Sequence, residues 1–363
     1  MSNWPDWLPL REDLRGLSAY GAPQINNVAA LNTNENPFPL PKSVIDSMIE
    51  NLKEILPNLN RYPDRDAVKL RSSLSEYING ENNLNLKFEN IWVANGSNEI
   101  LQTLVLACGQ GGVLGFTPSY SMHPIITKVC GATWISGVRN DDFTLDVEKA
   151  KSQIRSTKPS IIFVTTPNNP TGTSLKLSEI KSLAAEALTS KSLLVVDEAY
   201  AEFSENDSAV KLISEFPNIV VVRTMSKAFA LAGSRVGYLV ANPKIVEVAL
   251  IARLPYHLSS QTQAIAIAAL TNHELLQKEV DLLIAERTRV VKDLQSMGFE
   301  VIPSDANFLL FSGFKENEKV IWQSLLESKV LIRDVGLPGY LRVTIGTPAE
   351  NNQFLAAVAL FRP

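Results

Sequence analysis

The middle of the chain is punctuated by short apolar runs, and most of them end in a polar cluster. Ile161-Ile162-Phe163-Val164 leads toward Pro167-Asn168-Asn169-Pro170-Thr171-Gly172, and Leu193-Leu194-Val195-Val196 into Asp197-Glu198-Ala199-Tyr200. Ile219-Val220-Val221-Val222 leads into Arg223-Thr224-Met225-Ser226-Lys227-Ala228-Phe229. Similar runs cover residues 91–94, 113–116 and 236–240. The first of these continues into Asn95-Gly96-Ser97-Asn98-Glu99 and a helical stretch over 100–107. Runs this short, rich in Val and Ile and bounded by turn residues, are buried strands. Their alternation with helical stretches predicts an α/β fold with a mostly parallel sheet between helical layers. An open sheet of that kind gathers ligand-binding groups at the C-terminal ends of its strands.

On either side the pattern differs. The first forty residues are rich in Pro and Asn (Asn32-Thr33-Asn34-Glu35-Asn36-Pro37-Phe38-Pro39) and keep no period, which predicts an extended arm ordered only by what it lies on. From Ser43 onward, Val44, Ile45, Met48, Ile49, Leu52 and Ile55 follow a helical period. A second helix is predicted over 66–78, with Asn60-Arg61-Tyr62-Pro63-Asp64 as the loop between them. Beyond Pro255 the chain predicts a long helix at 274–297, short strands at 307–311, 330–333 and 341–345, and helices at 318–327 and 351–360. The expected organisation is an N-terminal arm (1–42) packing with the small domain, a large domain (43–255) and a smaller α+β C-terminal domain (256–363).

Composition narrows the function. Of 363 residues, 45% are hydrophobic and 20% charged, the balance of a soluble globular enzyme long enough for two domains. A net charge of −4 argues against a nucleic-acid or anionic-membrane partner, since both require a basic face. The start, Met1-Ser2-Asn3-Trp4-Pro5-Asp6-Trp7, lacks the basic and apolar regions of a secretory signal, and no stretch approaches the ~18 apolar residues of a membrane span. Cys108 and Cys130 are too few for a disulfide framework, so a cytoplasmic enzyme is expected. His123, His257 and His273 stand at no metal-ligand spacing from one another or from a Cys, and no metal is expected. The nucleophile-elbow, P-loop and dinucleotide fingerprints are all missing from the sequence.

What remains is an Asn, an Asp with a Tyr, and a Lys with a Ser and an Arg, each following a strand. Those are the groups that hold pyridoxal phosphate: an amine for the aldehyde, a carboxylate for the pyridinium nitrogen, donors for the ring hydroxyl, and a cation with hydroxyls for the phosphate. Lys227 is the candidate for the Schiff base, because burial and the positive charge of the ring and of Arg235 would lower its pKa toward the free amine. Taken alone it also reads as a surface lysine. Asp197 ends a strand too apolar to carry a carboxylate without a partner, although a helix N-cap is the other reading. Tyr200 and Asn169 are candidate donors to the ring hydroxyl oxygen, while Asn169-Pro170-Thr171-Gly172 by itself reads equally as a turn. Gly96-Ser97-Asn98 opens a helix straight after a strand and points its N–H groups at an anion. Ser226, with Thr224 beside it, and Arg235 complete that cradle. Tyr120, after Thr117-Pro118-Ser119, either stacks on the pyridine face or fills the core.

Further segments join these motifs: Leu31-Asn32-Thr33-Asn34-Glu35-Asn36-Pro37, Arg61-Tyr62-Pro63-Asp64, Pro118-Ser119-Tyr120-Ser121-Met122, Leu254-Pro255-Tyr256, Ala306-Asn307-Phe308, Ile332-Arg333-Asp334 and Leu341-Arg342-Val343-Thr344-Ile345-Gly346-Thr347-Pro348. Together they span nearly the whole chain, and the chain resembles the histidinol-phosphate aminotransferases, a family of fold-type I pyridoxal-phosphate enzymes. The resemblance implies a large cofactor-binding domain with a seven-stranded, mostly parallel type of sheet. It also implies a homodimer with its active sites at the subunit interface. Tyr62 would reach the partner's cofactor phosphate and Tyr256 the partner's substrate pocket. Tyr20 and Asn98 would lie beside the substrate, Arg342 would grip an α-carboxylate, and Arg333 the distal anion. The implied reaction converts L-histidinol phosphate and 2-oxoglutarate into imidazole-acetol phosphate and L-glutamate, a step of histidine biosynthesis.

On the residues alone, Arg333 and Arg342 also read as surface ion pairs. An aromatic (phenylalanine) aminotransferase of the same subgroup and a threonine-phosphate decarboxylase are the alternative activities. Two positions depart from the family. Ala230 stands where Gly is frequent, with little consequence if the backbone there is not left-handed. His123 stands where many members carry a second aromatic tyrosine, and it is expected to bear on recognition of the imidazole ring.

Overall fold

A computed structural model describes residues 4–19 and 21–363. Strand β1 (Ala29–Ala30) lies in the arm, and helices α1 (Lys42–Ile55) and α2 (Val68–Asn82) follow it. The alternating region opens with β2 (Ile91–Ala94), α3 (Ser97–Cys108), β3 (Val113–Thr117), α4 (Met122–Val129), β4 (Trp134–Val138), α5 (Val147–Thr157) and β5 (Ile161–Thr165). It continues through α6 (Leu177–Thr189), β6 (Leu193–Asp197), β7 (Ile219–Thr224), β8 (Gly237–Ala241) and α7 (Pro243–Ala252). Helices α8 (Ser260–Thr271) and α9 (His273–Ser296) lead to β9 (Glu300–Val301), β10 (Phe308–Ser312) and α10 (Glu318–Glu327). The chain closes with β11 (Val330–Leu331), β12 (Arg333–Asp334), β13 (Leu341–Thr344) and α11 (Pro348–Val358).

Seven strands form the central sheet in the order β2-β8-β7-β6-β5-β3-β4. Strand β8 runs antiparallel to both of its neighbours, and the other neighbouring pairs are parallel. Helices cover both faces, which is why the inner strands are apolar at nearly every position. Alternate residues serve opposite layers. Val220 and Val222 pack in one cluster with Ile100, Leu104 and Ala249, while Val196 and Val221 pack in the other with Ile154 and Leu183.

Two elements escape the apolar pattern. Strand β4 is an edge strand paired only with β3, and its Val138 is 74% exposed. One solvated flank removes the need for a continuous apolar run. Helix α8 carries alanines around much of its circumference (Ser260-Gln261-Thr262-Gln263-Ala264-Ile265-Ala266), which blurs its period while letting it pack against α1 and α2.

The C-terminal strands form an antiparallel sheet in the order β12-β13-β10-β9. The strand expected over 330–333 is split at Ile332. Its first half, β11, pairs in parallel with β1, and its second half, β12, pairs with β13. The Leu31 N–H donates to Leu331 O at 2.8 Å, and the Thr344 N–H donates to Leu31 O at 2.9 Å. Main-chain hydrogen bonds therefore stitch the arm onto the C-terminal strands. Among the described residues no helix is long and apolar enough to cross a membrane.

The turn after Lys227 corrects one expectation. Ala230 has φ of 53°, so the backbone there is left-handed, and its N–H donates to Lys227 O at 3.2 Å. A Cβ in that conformation costs roughly 1–2 kcal/mol, part of which a glycine would return as unfolded-state freedom. Ala230→Gly is expected to stabilise the protein by about 0.5–1 kcal/mol. In urea titration this appears as a higher midpoint at unchanged slope. A lower midpoint would mean that the Ala230 methyl group contributes more packing than its strain removes.

Candidate active site

Every parallel strand but the edge strand β4 points its C-terminal end at one cavity of about 450 Å³. Ser97 and Asn98 enter it after β2, Ser119 and Tyr120 after β3, Asn169 after β5, Asp197 and Tyr200 from β6, and Thr224, Ser226 and Lys227 from β7. Antiparallel β8 starts at the same end, which brings in Arg235. The arm contributes Asn32, Thr33, Asn34 and Glu35, and strands β12 and β13 contribute Arg333 and Arg342. Two of the tyrosines named in the sequence lie elsewhere. Tyr62 and Tyr256 stack on each other at the surface with ring centroids 4.4 Å apart. Tyr20 lies outside the described residues.

Lys227 is not a surface lysine. It is partly buried in the cavity wall, and its Nζ donates to Thr33 O at 2.8 Å. Burial first, and then the Arg342 and Arg235 guanidiniums, push the Lys227 pKa down to about 7, with the Glu35 carboxylate pulling the other way.

Asp197, 2% exposed, accepts from His123 Nε2 at 3.1 Å and from the Ala199 N–H at 3.3 Å. No helix follows directly, so Asp197 is not an N-cap. A carboxylate only accepts, which places a hydrogen on Nε2 of His123 and leaves Nδ1 facing Ser119 Oγ at 3.4 Å. His123 is fully buried, with its ring 4.6 Å from that of Phe163. It therefore does not line the cavity; it lies behind Asp197 and fixes the carboxylate. Glu198, the next residue, faces the other way and binds Arg223 at 2.9 Å.

The Tyr200 hydroxyl accepts from Asn34 Nδ2 at 2.9 Å and from Asn169 Nδ2 at 3.2 Å. With both acceptor positions taken, its own hydrogen is left to donate into the cavity. Burial raises the Tyr200 pKa, which keeps that hydrogen in place. Asn34 was not singled out from the sequence, because its partner lies 166 residues away.

Helix α3 starts at Gly96 with no side chain capping it, so its first N–H groups are open to an anion. Arg235, itself left-handed at φ 54°, donates to Ser226 Oγ at 3.3 Å, and Thr224 Oγ1 donates to the same oxygen at 2.9 Å. A Cβ on Gly96 would sit 2.5 Å from Arg235 Nη2, and one on Gly237 would sit 2.4 Å from the Gly96 carbonyl carbon. Both glycines are what allow a guanidinium and a strand to close on the helix start.

Arg333 and Arg342 are directly opposed across the β12–β13 pair and so share one face of the sheet. Like charges so placed destabilise each other unless an anion joins them. Arg342 is buried and donates to neutral oxygens, Asn169 Oδ1 at 2.6 Å and Asn32 O at 2.7 Å. That excludes the surface ion-pair reading for Arg342. Tyr120 donates to Asn98 Oδ1 at 3.2 Å.

A neutral amine, a fixed carboxylate, a phenol poised to donate and a helix start closed by hydroxyls and an arginine fit the requirements of pyridoxal phosphate. Among the described residues no three of His, Cys, Asp and Glu gather as a metal site.

Comparison with known proteins gives the same picture over a longer span. The aminotransferase class I and II family matches residues 26–358. The histidinol-phosphate aminotransferase of Mycobacterium leprae (strain TN) is 52% identical over 355 residues, covering 97% of this chain and 93% of that protein. The protein of the same name from Mycobacterium marinum is 52% identical over 357 residues, 98% of this chain and 92% of its own length. Among solved structures, the histidinol-phosphate aminotransferase of Clostridium acetobutylicum superposes with a TM-score of 0.82 at 26% identity, covering 91% of this chain and 98% of that one. The Sinorhizobium meliloti enzyme, solved in complex with pyridoxal-5'-phosphate, shares the fold at a TM-score of 0.79 and 22% identity, over 92% of this chain and 91% of that one.

The position of Lys227 predicts an unusual titration. Its amine is half deprotonated at about 7, so its reactivity rises as pH passes upward through that value. In cofactor-free protein, dinitrophenylation read at Lys227 by mass spectrometry is expected to have its midpoint there. Free Nα-acetyl-lysine labelled in the same reaction should react only toward the ordinary value of about 10.4. Coincident midpoints would remove the case for a neutral amine.

Proposed function

The chain belongs to the class I and II aminotransferase family, and on that premise we propose that it exchanges an amine between L-histidinol phosphate and 2-oxoglutarate. The products are imidazole-acetol phosphate and L-glutamate, and the reaction belongs to histidine biosynthesis. The observation that carries this reading is one cavity holding a lysine of depressed pKa together with a cross-strand pair of arginines. Such a cavity suits a reactive amine and two anionic substrates. The relatives at 52% identity share one name over almost the whole chain, which favours neither the aromatic aminotransferase nor the phosphothreonine decarboxylase.

Pyridoxal phosphate supplies, when bound, an aldehyde for the substrate amine and a protonated ring that draws electrons from the α-carbon. Asp197, braced by His123, would pair its carboxylate with the ring nitrogen. Tyr200 would donate to the ring hydroxyl oxygen, with Asn169 beside it, and Tyr120 would cover the ring. The α3 N-terminus, Ser97, Thr224, Ser226 and Arg235 would hold the phosphate. Lys227 accepts the α-proton at Nζ and gives it up again, and a pKa near 7 suits a group that must do both at neutral pH. Arg342 receives the α-carboxylate of glutamate. Arg333 receives the distal anion, either the ester phosphate or the side-chain carboxylate. Asn98 lines the pocket beside the substrate.

The same reading includes a cytoplasmic homodimer. Its support is an exposed group of side chains, Tyr62 (80%), Ile251 (84%) and Leu254 (75%), which a second copy would cover. Tyr62 would meet the partner's cofactor phosphate, Tyr256 the partner's substrate, and Tyr20 the substrate in its own pocket. The division into an arm (1–42), a large domain (43–255) and a small domain (256–363) belongs to the proposal as well.

The test is a half-reaction. Cofactor-loaded enzyme is mixed with L-histidinol phosphate or with phenylalanine, and loss of the visible cofactor band is followed. Histidinol phosphate should react far faster, and Arg333→Ala should narrow the gap. Lys227→Ala should slow proton transfer by at least ~10²–10⁴-fold. A preference for phenylalanine, or full turnover by Lys227→Ala, would overturn the reading.

A further inference from the structure

Of the carboxylates lining the cavity, all but one are engaged. Asp197 accepts from His123 and Ala199, and Asp334 accepts from the Gly336 N–H at 2.8 Å. Glu35 lines the same cavity and forms no hydrogen bond or ion pair among the described residues. Its place is nevertheless rigid. Thr33 O, two residues before it, receives Lys227 Nζ. Asn34 is pinned through its N–H to Thr344 Oγ1 at 3.0 Å, through its side chain to Tyr200, and through its carbonyl by Asn307 Nδ2 at 3.1 Å. On the far side, Asn36 Oδ1 accepts from the Phe38 N–H at 3.0 Å. The backbone at Glu35 is therefore braced beside Lys227, while its carboxylate is exposed to the open cavity and touches the amine only through its charge.

A cavity built for two anions gains nothing from such a charge. Arg235, Arg333 and Arg342 attract phosphate and carboxylate, whereas Glu35 repels both. The group that needs it must donate a hydrogen bond. Of the two substrates, only the amino donor carries one beyond its amine: the imidazole N–H, which gains a full positive charge below about pH 6.5.

We propose that Glu35 is a specificity-determining residue that accepts a hydrogen bond from the imidazole ring of the amino donor, an inference that rests on the reaction proposed above. The dicarboxylate that fills the site in the second half-reaction offers no donor there and meets only the repulsion. Glu35 thus acts with opposite sign on the two substrates, binding the imidazole and disfavouring the second anion. A carboxylate that merely tuned Lys227 would act on both alike.

The experiment compares cofactor-loaded wild type with Glu35→Gln, which keeps the shape and removes the charge. Calorimetry uses two ligands without an amine, 2-(imidazol-4-yl)ethyl phosphate and 2-phenylethyl phosphate, so that no reaction follows binding. The variant should bind the imidazole ligand about tenfold more weakly, with the phenyl ligand unchanged or tighter. In half-reactions the KM for L-histidinol phosphate should rise by a similar factor while that for 2-oxoglutarate stays the same or falls. Equal changes for both ligands, or none, in an enzyme that turns over histidinol phosphate would overturn the role of Glu35 alone. A wild type that neither turns over histidinol phosphate nor prefers the imidazole ligand would overturn the proposed reaction and this inference with it.

Discussion

The arrangement turns on keeping one amine uncharged. Lys227 must be surrounded so that its proton is unwelcome, and two guanidiniums with a partly buried wall achieve that. Holding like charges close is unfavourable, so each has to be fixed by structure stronger than the repulsion. The parallel sheet supplies that rigidity. Its inner strands are paired on both sides and covered on both faces, and their ends cannot move apart without breaking the core. Local strain is tolerated on the same terms. Ala230 and Arg235, which both follow Lys227, are left-handed, and each is held by the elements around it.

Long-range closure is the second requirement. The sheet presents Lys227 and Tyr200, but the arm supplies a partner to each, Thr33 O and the Asn34 side chain. Thr33 O receives Lys227 across 194 residues, and Asn34 reaches Thr344 across 310. The arm in turn is held by main-chain bonds to β11 and β13, so the order of the cavity depends on the C-terminal strands being in place. A loosened arm would expose Lys227 to water and restore much of its ordinary affinity for a proton. Chemistry at the amine is thereby coupled to completion of the fold.

This division explains what could be read from the sequence. Lys227, Asp197 and Arg235 were legible because an apolar run must be buried and a polar residue beside it needs a reason to be there. The helix start at Gly96 was legible because Gly, Ser and Asn after a strand have few other uses. The edge strand β4 and helix α8 were not, since one is half solvated and the other is apolar on many sides. The partnership of His123 with Asp197 was also hidden. It joins residues 74 apart through the interior, and no local pattern separates a buried histidine that braces a carboxylate from one that faces a ligand. The handedness at Ala230 is likewise a property of the turn, and the alanine gives no sign of it.

The opposed arginines show why two chemically different substrates can share one site. Arg333 and Arg342 face each other across two strands whose register leaves no freedom to separate them. Together they set positive charge on one wall of the cavity. Phosphate and carboxylate can both answer that charge, because a guanidinium fork recognises planar or tetrahedral oxygens with parallel hydrogen bonds. Arg342 is tied to Asn169, and Asn169 to Tyr200, so an anion on this pair is also felt at the residues beside the ring. Choice between the substrates must then come from the part of the cavity that is not cationic.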